Sequence, residues 1–441
     1  MKFTINKQAE LTPELLQKMI EKFQSSVQPV LTKYKNYYDG VQAISLKQYS
    51  DPSKPCNKTV VNYCKNIVDG YNGYLASPNF ISYTSDNDIE AIMDVLRYND
   101  FQAEDSDFLE SALIYGVGTE LMFFDQEGKT RFKLIDPRTC FGVYDDSLTG
   151  DLLYFVRMYK EDEWDEDNDT QLIDVYSDYN IKHYKMSNGG TATFINEEPH
   201  YFGQCPANIF YLPDEKSIFD CIISLQDSVN ELLSDEIDDY SAFCDAYLTL
   251  TGVDCDNEEI ALMKQNRVLV LPEGAVADWL TKNANDAQVE NILKRLHDDI
   301  YRIAQMPDFC SETFVGGVSS GIALRFRLTG MENRAGRIEA LMKQALQRRI
   351  ELICGIASLK LGEEVFRDIQ ITFKRNIPND ETQVYQMVNM LKGTVSDETL
   401  LGQLPFISDV NAELERVKEQ KANNIELYSF GIDKEEDNED E

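Results

Sequence analysis

The chain has 441 residues, with 77 Asp and Glu against 42 Lys and Arg, and a formal net charge of -35 at pH 7. Its 43% apolar and 11% aromatic residues exclude a disordered chain and allow about two to four folded domains. So much negative charge opposes nonspecific association with nucleic acid or anionic membranes, so any contact with DNA has to be local or repulsive.

No apolar stretch follows Met1, so no secretory signal is expected. Thr12-Pro13-Glu14 predicts a helix start: a capping hydroxyl, Pro in the first turn and an acid at the positive end of the helix dipole. The helical pattern runs to Tyr38, with a break or kink at Pro29, and stops at Asp39-Gly40. Residues 57–75 (NKTVVNYCKNIVDGYNGYL) place Val61, Cys64, Ile67, Val68, Tyr71 and Leu75 on one helical stripe. Two further helices are predicted over residues 88–98 and 101–115. After Gly116-Val117-Gly118 the period becomes strand-like. Runs near 119–124, 131–135, 141–144, 152–159, 172–176, 181–185 and 192–195 predict an antiparallel β region of about eighty residues.

Residues 217–250 read as one helix of about 50 Å. Ile218, Ile222, Leu225, Val229, Leu232, Tyr240, Phe243 and Tyr247 repeat there at helical intervals with one longer gap. Residues 254–286 form a small insert, with a helix over 258–264, a strand over 267–271 and a turn at Pro272-Glu273-Gly274. A second long helix, residues 287–305, buries Val289, Ile292, Leu296, Ile300 and Ile303. The loop PDFCSETFVGGVSSGIALRFRL begins at Pro307 and leads into a helix over residues 320–361. A strand at 369–377 precedes a helical region at 381–428, and GIDKEEDNEDE closes the chain as a disordered acidic tail. No run of about 18 apolar residues is present to span a membrane. The nine cysteines are scattered without CxxC spacing, which fits free thiols in a reducing cytoplasm.

Catalytic chemistry is sparse. His183, His200 and His297 lie near no other metal-ligand type at a usable spacing, so structural or surface roles are expected. Asp165, Asp167 and Asp169 alternate like the first ligands of a calcium loop, but Thr170 stands where Gly is needed and no Glu follows at the twelfth place. That run is read as a solvated loop, and no metal and no cofactor are expected. Gly116-Val117-Gly118 follows a helix and precedes a strand, the reverse of the dinucleotide-binding order, and reads as a helix end. Arg325, Arg327, Arg334, Arg337, Lys343, Arg348 and Arg349 stand against only Glu332 and Glu339. They make either a helix that meets a neighbour's acids or DNA phosphate, or an intramolecular salt-bridged helix; both readings stay open. Gly316-Gly317 and Ser319-Ser320 permit large backbone excursions in a loop longer than most helix connections.

The order of these strings resembles the portal proteins of tailed bacteriophages, in particular those of siphophages of Gram-positive hosts, over about residues 10–428. The residues that carry it are NKTVVNYCKNIVDGYNGYL, ALIYGVGTELMFFDQEGKTRFKLIDPRTCFGVYDD, SLQDSVNELLSDEIDDYSAFCDAYLTLTG, PDF…GGVSSGIALRFRL, ITFKRNIPND and TVSDETLLGQLPFISDVNAELERVKEQ. Each string alone is weakly specific, whereas their collinear order is quite specific.

The resemblance implies an α+β, portal-like fold with long stem helices, an antiparallel β wing region, a small α/β clip insert and a helical crown. Its parts would be a wing (1–216), a wing-to-stem helix (217–253), a clip (254–286) and a second stem helix (287–306). A tunnel loop (307–320), a long helix with a wing strand (321–380), the crown (381–428) and the acidic tail (429–441) would follow. It implies a homododecameric ring at one capsid vertex of the virion, a head–tail connector made in the host bacterial cytoplasm. Double-stranded DNA would pass through it without tight binding during packaging and ejection. Phe314, Val315, Gly316, Gly317, Val318, Ser319 and Ser320 would face that DNA. Arg325, Arg327, Arg334 and Arg337 would lie at a subunit boundary or near DNA. Clip residues Asp256, Glu258, Glu259, Lys264, Trp279 and Lys282 would meet the terminase large subunit and later the head-completion adaptor. Major capsid and scaffolding proteins are the remaining expected partners, and no membrane and no enzymatic activity are expected. The acidic tail and a short crown depart from the family pattern. The competing reading is an acidic cytoplasmic scaffold or adaptor that binds partners through long amphipathic helices; an enzyme of unrecognised type comes third.

Overall fold

Thr12 starts a helix as its position predicts: its hydroxyl accepts a bond from the Leu15 amide at 3.4 Å, and α1 runs Pro13–Lys22 in the computed structural model of the chain. The structure describes residues 2–49, 51, 55–161, 170–187, 190–243, 247–252, 274–280, 286–311, 314, 321–356, 365–375, 381–402 and parts of 404–420. A π-helical turn, Phe23–Val27, joins α1 to α2 (Gln28–Tyr38). Pro29 has no amide for the ordinary ladder, and the widened turn absorbs that loss, so the expected break is a change of winding. The third helix, α3, spans Tyr63–Leu75 and begins later than residue 57, because Asn62 caps it by accepting from Lys65 N at 3.0 Å.

After α4 (Glu90–Tyr98), α5 (Phe101–Tyr115) buries Phe108, Leu109, Ala112, Leu113 and Tyr115 and ends at Gly116. There φ is +79°, and a Cβ would stand 2.5 Å from the Lys216 backbone, so the expected helix-ending role is also a site of close chain approach.

The β region forms two sheets. β1 (Phe3–Ile5), β5 (Cys140–Asp145), β6 (Leu152–Lys160), β7 (Gln171–Tyr176), β8 (Asn180–Met186) and β9 (Thr193–Pro199) make a six-stranded sheet in that order. The second is β10 (Ala207–Tyr211), β3 (Val117–Phe124) and β4 (Thr130–Ile135). Pairing is antiparallel as predicted, except that β1 lies parallel to β5 with Phe3 opposite Val143. One core cluster draws on both sheets through Leu121, Cys140, Phe155, Tyr176, Cys205 and Ala207. The short strands β1, β2 (Ile81–Thr84) and β10 were not predicted, since three to five residues show no clear period.

Two expected boundaries move. The predicted helix over 217–250 is α6 (Ile223–Phe243), 21 residues long. At its start Ser217 Oγ and Ile218 N donate to Leu113 O at 3.1 and 3.0 Å, which ties the chain to α5 before the helix begins. At its end Tyr247-Leu248-Thr249-Leu250-Thr251 alternates with period two and becomes β11 (Tyr247–Thr251), antiparallel to β12 (Val276–Leu280). The next helix, α7 (Asp286–Ala304), buries Ile300, but Ile292 and Ile303 are 43% and 45% exposed instead of buried. Its inner face is turned toward His297, whose ring meets Tyr63 edge-on at 5.8 Å, and Ala304, whose carbonyl accepts from Tyr71 Oη at 2.9 Å. The predicted elements at 258–264 and 267–271 lie outside the described residues.

The long helix α8 (Gly321–Cys354) stops at Gly355 rather than 361. Its inward stripe includes Leu328, Met331, Ala335, Ile338, Met342, Leu346 and Ile350. A short helix α9 (Val365–Asp368) leads to β13 (Gln370–Phe373), which pairs with β2. Chain contacts separate two units, Met1–Gly317 with Phe326–Asn376, and Val318–Arg325 with Ile377–Glu441. The second contains α10 (Glu381–Leu391) and α11 (Asp397–Leu401), the latter capped by Ser396, which accepts from Thr399 N at 3.4 Å. Among the described residues no helix is long and apolar enough to cross a membrane.

Candidate functional site

The α6–α7 pair carries the mechanical argument, and α6 is held by a device outside the apolar pattern. Gln226, Asn230, Ser234 and Asp238 repeat every fourth residue along one of its faces and are buried. They accept hydrogen bonds from alternate amides of the extended segment before α3 and of its first residue: Tyr63 to Gln226 at 3.0 Å, Val61 to Asn230 at 2.9 Å, Thr59 to Ser234 at 3.0 Å and Asn57 to Asp238 at 2.7 Å. The spacings agree because two extended residues advance about 6.6 Å and four helical residues about 6.0 Å. Gln226 also donates to Val61 O at 2.5 Å, and Asn230 donates to Gln42 Oε1 at 2.5 Å. The helix face therefore replaces a missing partner strand. Burial alone would raise the Asp238 carboxyl, but bonds from Asn57 and Lys47 outweigh it and hold the group at about 2.

The predicted basic cluster separates into different roles. Arg334 donates to Ala304 O at 3.0 Å and Ile218 O at 2.7 Å, closing the carboxyl end of α7. Arg327 donates to Phe314 O at 3.1 Å. Arg325 and Arg337 are exposed, and Arg325 belongs to the second unit. Of the loop residues predicted to face DNA only Phe314 is described: it is half-buried, edge-on to Phe309 at 5.3 Å, and its amide donates to Ser311 O at 2.9 Å. Val315, Gly316, Gly317, Val318, Ser319 and Ser320 lie outside the described residues, as do Asp256, Glu258, Glu259, Lys264 and Lys282. Trp279 is placed by its backbone, opposite Leu248 in the β11–β12 pair.

Arg349 is fully buried and joins three elements. Its guanidinium donates to both Glu120 oxygens from β3, at 2.9 and 2.6 Å, and to Asp105 from α5. It lies 4.3 Å from the centre of the Phe132 ring on β4. Two carboxylates share one guanidinium, and burial pushes Asp105 up to about 6 while Arg349 pulls it the other way.

Each histidine has a structural partner. His183 Nδ1 lies 2.7 Å from Asp174 across β7–β8, His200 Nε2 lies 2.9 Å from Ser177 O, and the His297 ring packs tilted against Tyr301 at 4.8 Å. Cys56, Cys64, Cys140, Cys205, Cys221, Cys310 and Cys354 are free thiols. Burial pushes the Cys64, Cys140 and Cys205 thiols up to about 12, so they act as small packing groups. Among the described residues no group of three His, Cys, Asp or Glu is placed to hold a metal, and residues 162–169 of the acidic run lie outside them.

Comparison with known proteins gives a single direction. The profile of the family described as "Phage portal protein, SPP1 Gp6-like" matches residues 20–427. The portal protein of Bacillus phage SPP1 is 24% identical over 426 residues, covering 91% of this chain and 83% of that one.

Proposed function

This chain belongs to the SPP1 Gp6-like phage portal proteins, and from that premise we propose how its parts serve the portal at a capsid vertex. It is a portal protein of the virion, the component through which the genome is packaged. The observation that carries this is the match over nearly the whole chain, and it displaces the cytoplasmic scaffold reading.

The finer assignments are proposals. Copies close into a ring of twelve, with residues 217–253 and 287–306 as the stem and 254–286 as the clip toward the terminase large subunit and the head-completion adaptor. Residues 1–216 with 321–380 form the wing, and 381–428 the crown. Major capsid and scaffolding proteins surround the ring, and the subunit is made in the host cytoplasm. The role is structural, without catalysis. A conduit for a polyanion works best when its wall holds phosphate weakly, and a chain of -35 supplies such a wall. The strapped α6 and the capped α7 support a stiff stem.

Negative-stain images of purified protein are expected to show closed rings, and monomers alone at micromolar concentration would overturn the ring. The loop assignment has its own test. Replacing Gly316 and Gly317 by Val restricts the backbone and should leave ring assembly intact while reducing filled heads or packaged length. Full-length packaging at the normal rate would make residues 307–320 a plain connector.

A further inference from the structure

The exposed side of α8 differs in charge from the rest of the chain. Between Phe326 and Gln344 its exposed residues include Arg337, Lys343, Gly330, Gly336 and Ala340, and none is acidic, although 77 of 441 residues are. The acids of this stretch, Glu332 and Glu339, are only partly exposed and are paired with Arg375 at 3.2 and 2.5 Å. Neither Arg337 nor Lys343 meets a carboxylate among the described residues. Among the described residues a Cβ at Gly336 would meet nothing within 4 Å, so none of them requires a glycine there. Yet glycine inside a helix is unfavourable relative to alanine. A small residue kept on an exposed helix face suits another helix approaching closely.

The opposite pattern lies on α6. It holds Asp227, Glu231, Asp235, Glu236, Asp238 and Asp239 and no Lys or Arg. Glu231, Asp235 and Asp239 are exposed at successive i+4 positions beside Tyr240, which is 76% exposed.

Resting on the portal reading, we infer that the acid-free face of α8 docks on the acidic face of α6 of a second copy of this chain. The two patches are different surfaces of the subunit, so the contact is heterologous and can repeat around a ring.

Charge reversal tests this. Arg337→Glu with Lys343→Glu, and separately Glu231→Lys with Asp239→Lys, should each lower the assembled fraction at least tenfold at a concentration where the wild type is fully assembled. Mixing the two variants in equal amounts should restore assembly, because each reversed face then meets a reversed partner. Gly336→Leu should also impair assembly by filling the space between helices. Circular dichroism and the thermal midpoint of the unassembled variants are expected to match those of wild-type subunits. Rings formed by either charge variant alone, or no recovery on mixing, would overturn this interface and leave the portal assignment standing. A wild type that forms no rings would instead count against the ring reading.

Discussion

Replacing Arg349 by Met is expected to lower the unfolding free energy by about 3–5 kcal/mol at neutral pH, measured by denaturant at matched subunit concentration. The loss comes mainly from what stays behind: Asp105 and Glu120, both buried, keep their oxygens but lose the cation between them. Replacing all three with apolar residues of similar volume should recover most of it, since desolvation disappears with the charges. A loss below about 1 kcal/mol for Arg349→Met would show that water reaches the site. Asp105 adds a pH signature. Its folded value of about 6 lies above its ordinary 3.8, so the folded state binds that proton more tightly. Its contribution is full below pH 4 and is lost as pH rises through 6. Relative to Asp105→Asn, the wild type should lose stability on the order of 1 kcal/mol between pH 5 and 7.5. A flat difference would mean that the carboxyl is ionised throughout.

Asn230→Leu is expected to cost about 2–3 kcal/mol, although leucine is the better helix former. The change leaves Val61 N–H and Gln42 Oε1 without partners in a buried place, and Gln226 loses a contact at 3.1 Å. Hydrogen exchange should locate the effect: amides of residues 59–63 should lose protection while those of β6 and β7 keep theirs. The Asn230→Asp variant retains an acceptor for Val61 and should lie between wild type and Leu in stability. Unchanged protection at Val61 in the Leu variant would show that the strap is held by packing alone.

Long elements with a clear period were legible. α5 and most of the larger strands stand within two residues of where apolar spacing places them, and Gly116 ends its helix for the reason its position implied. The strap was misread. Val61 falls in register with the stripe of α3, so residues 57–62 looked helical, while the tertiary partner that keeps them extended lies more than 160 residues away. A signal was available in the i+4 run Gln226, Asn230, Ser234 and Asp238, but apolar periodicity counts buried polar residues as surface. The basic cluster could not be sorted from sequence, because charge alone gave Arg334 and Arg349, which are bound inside the subunit, the same standing as the exposed Arg337.

Composition and collinear order therefore determined the acidic character, the α+β class and the family, since these depend on residue type and local period summed along many positions. The tertiary structure decided where α6 stops, which isoleucines of α7 face inward, and which cations are spent inside the subunit. Those outcomes depend on single long-range pairings. A buried amide, carboxylate or guanidinium takes the partner that topology brings near, and local sequence carries no record of that partner.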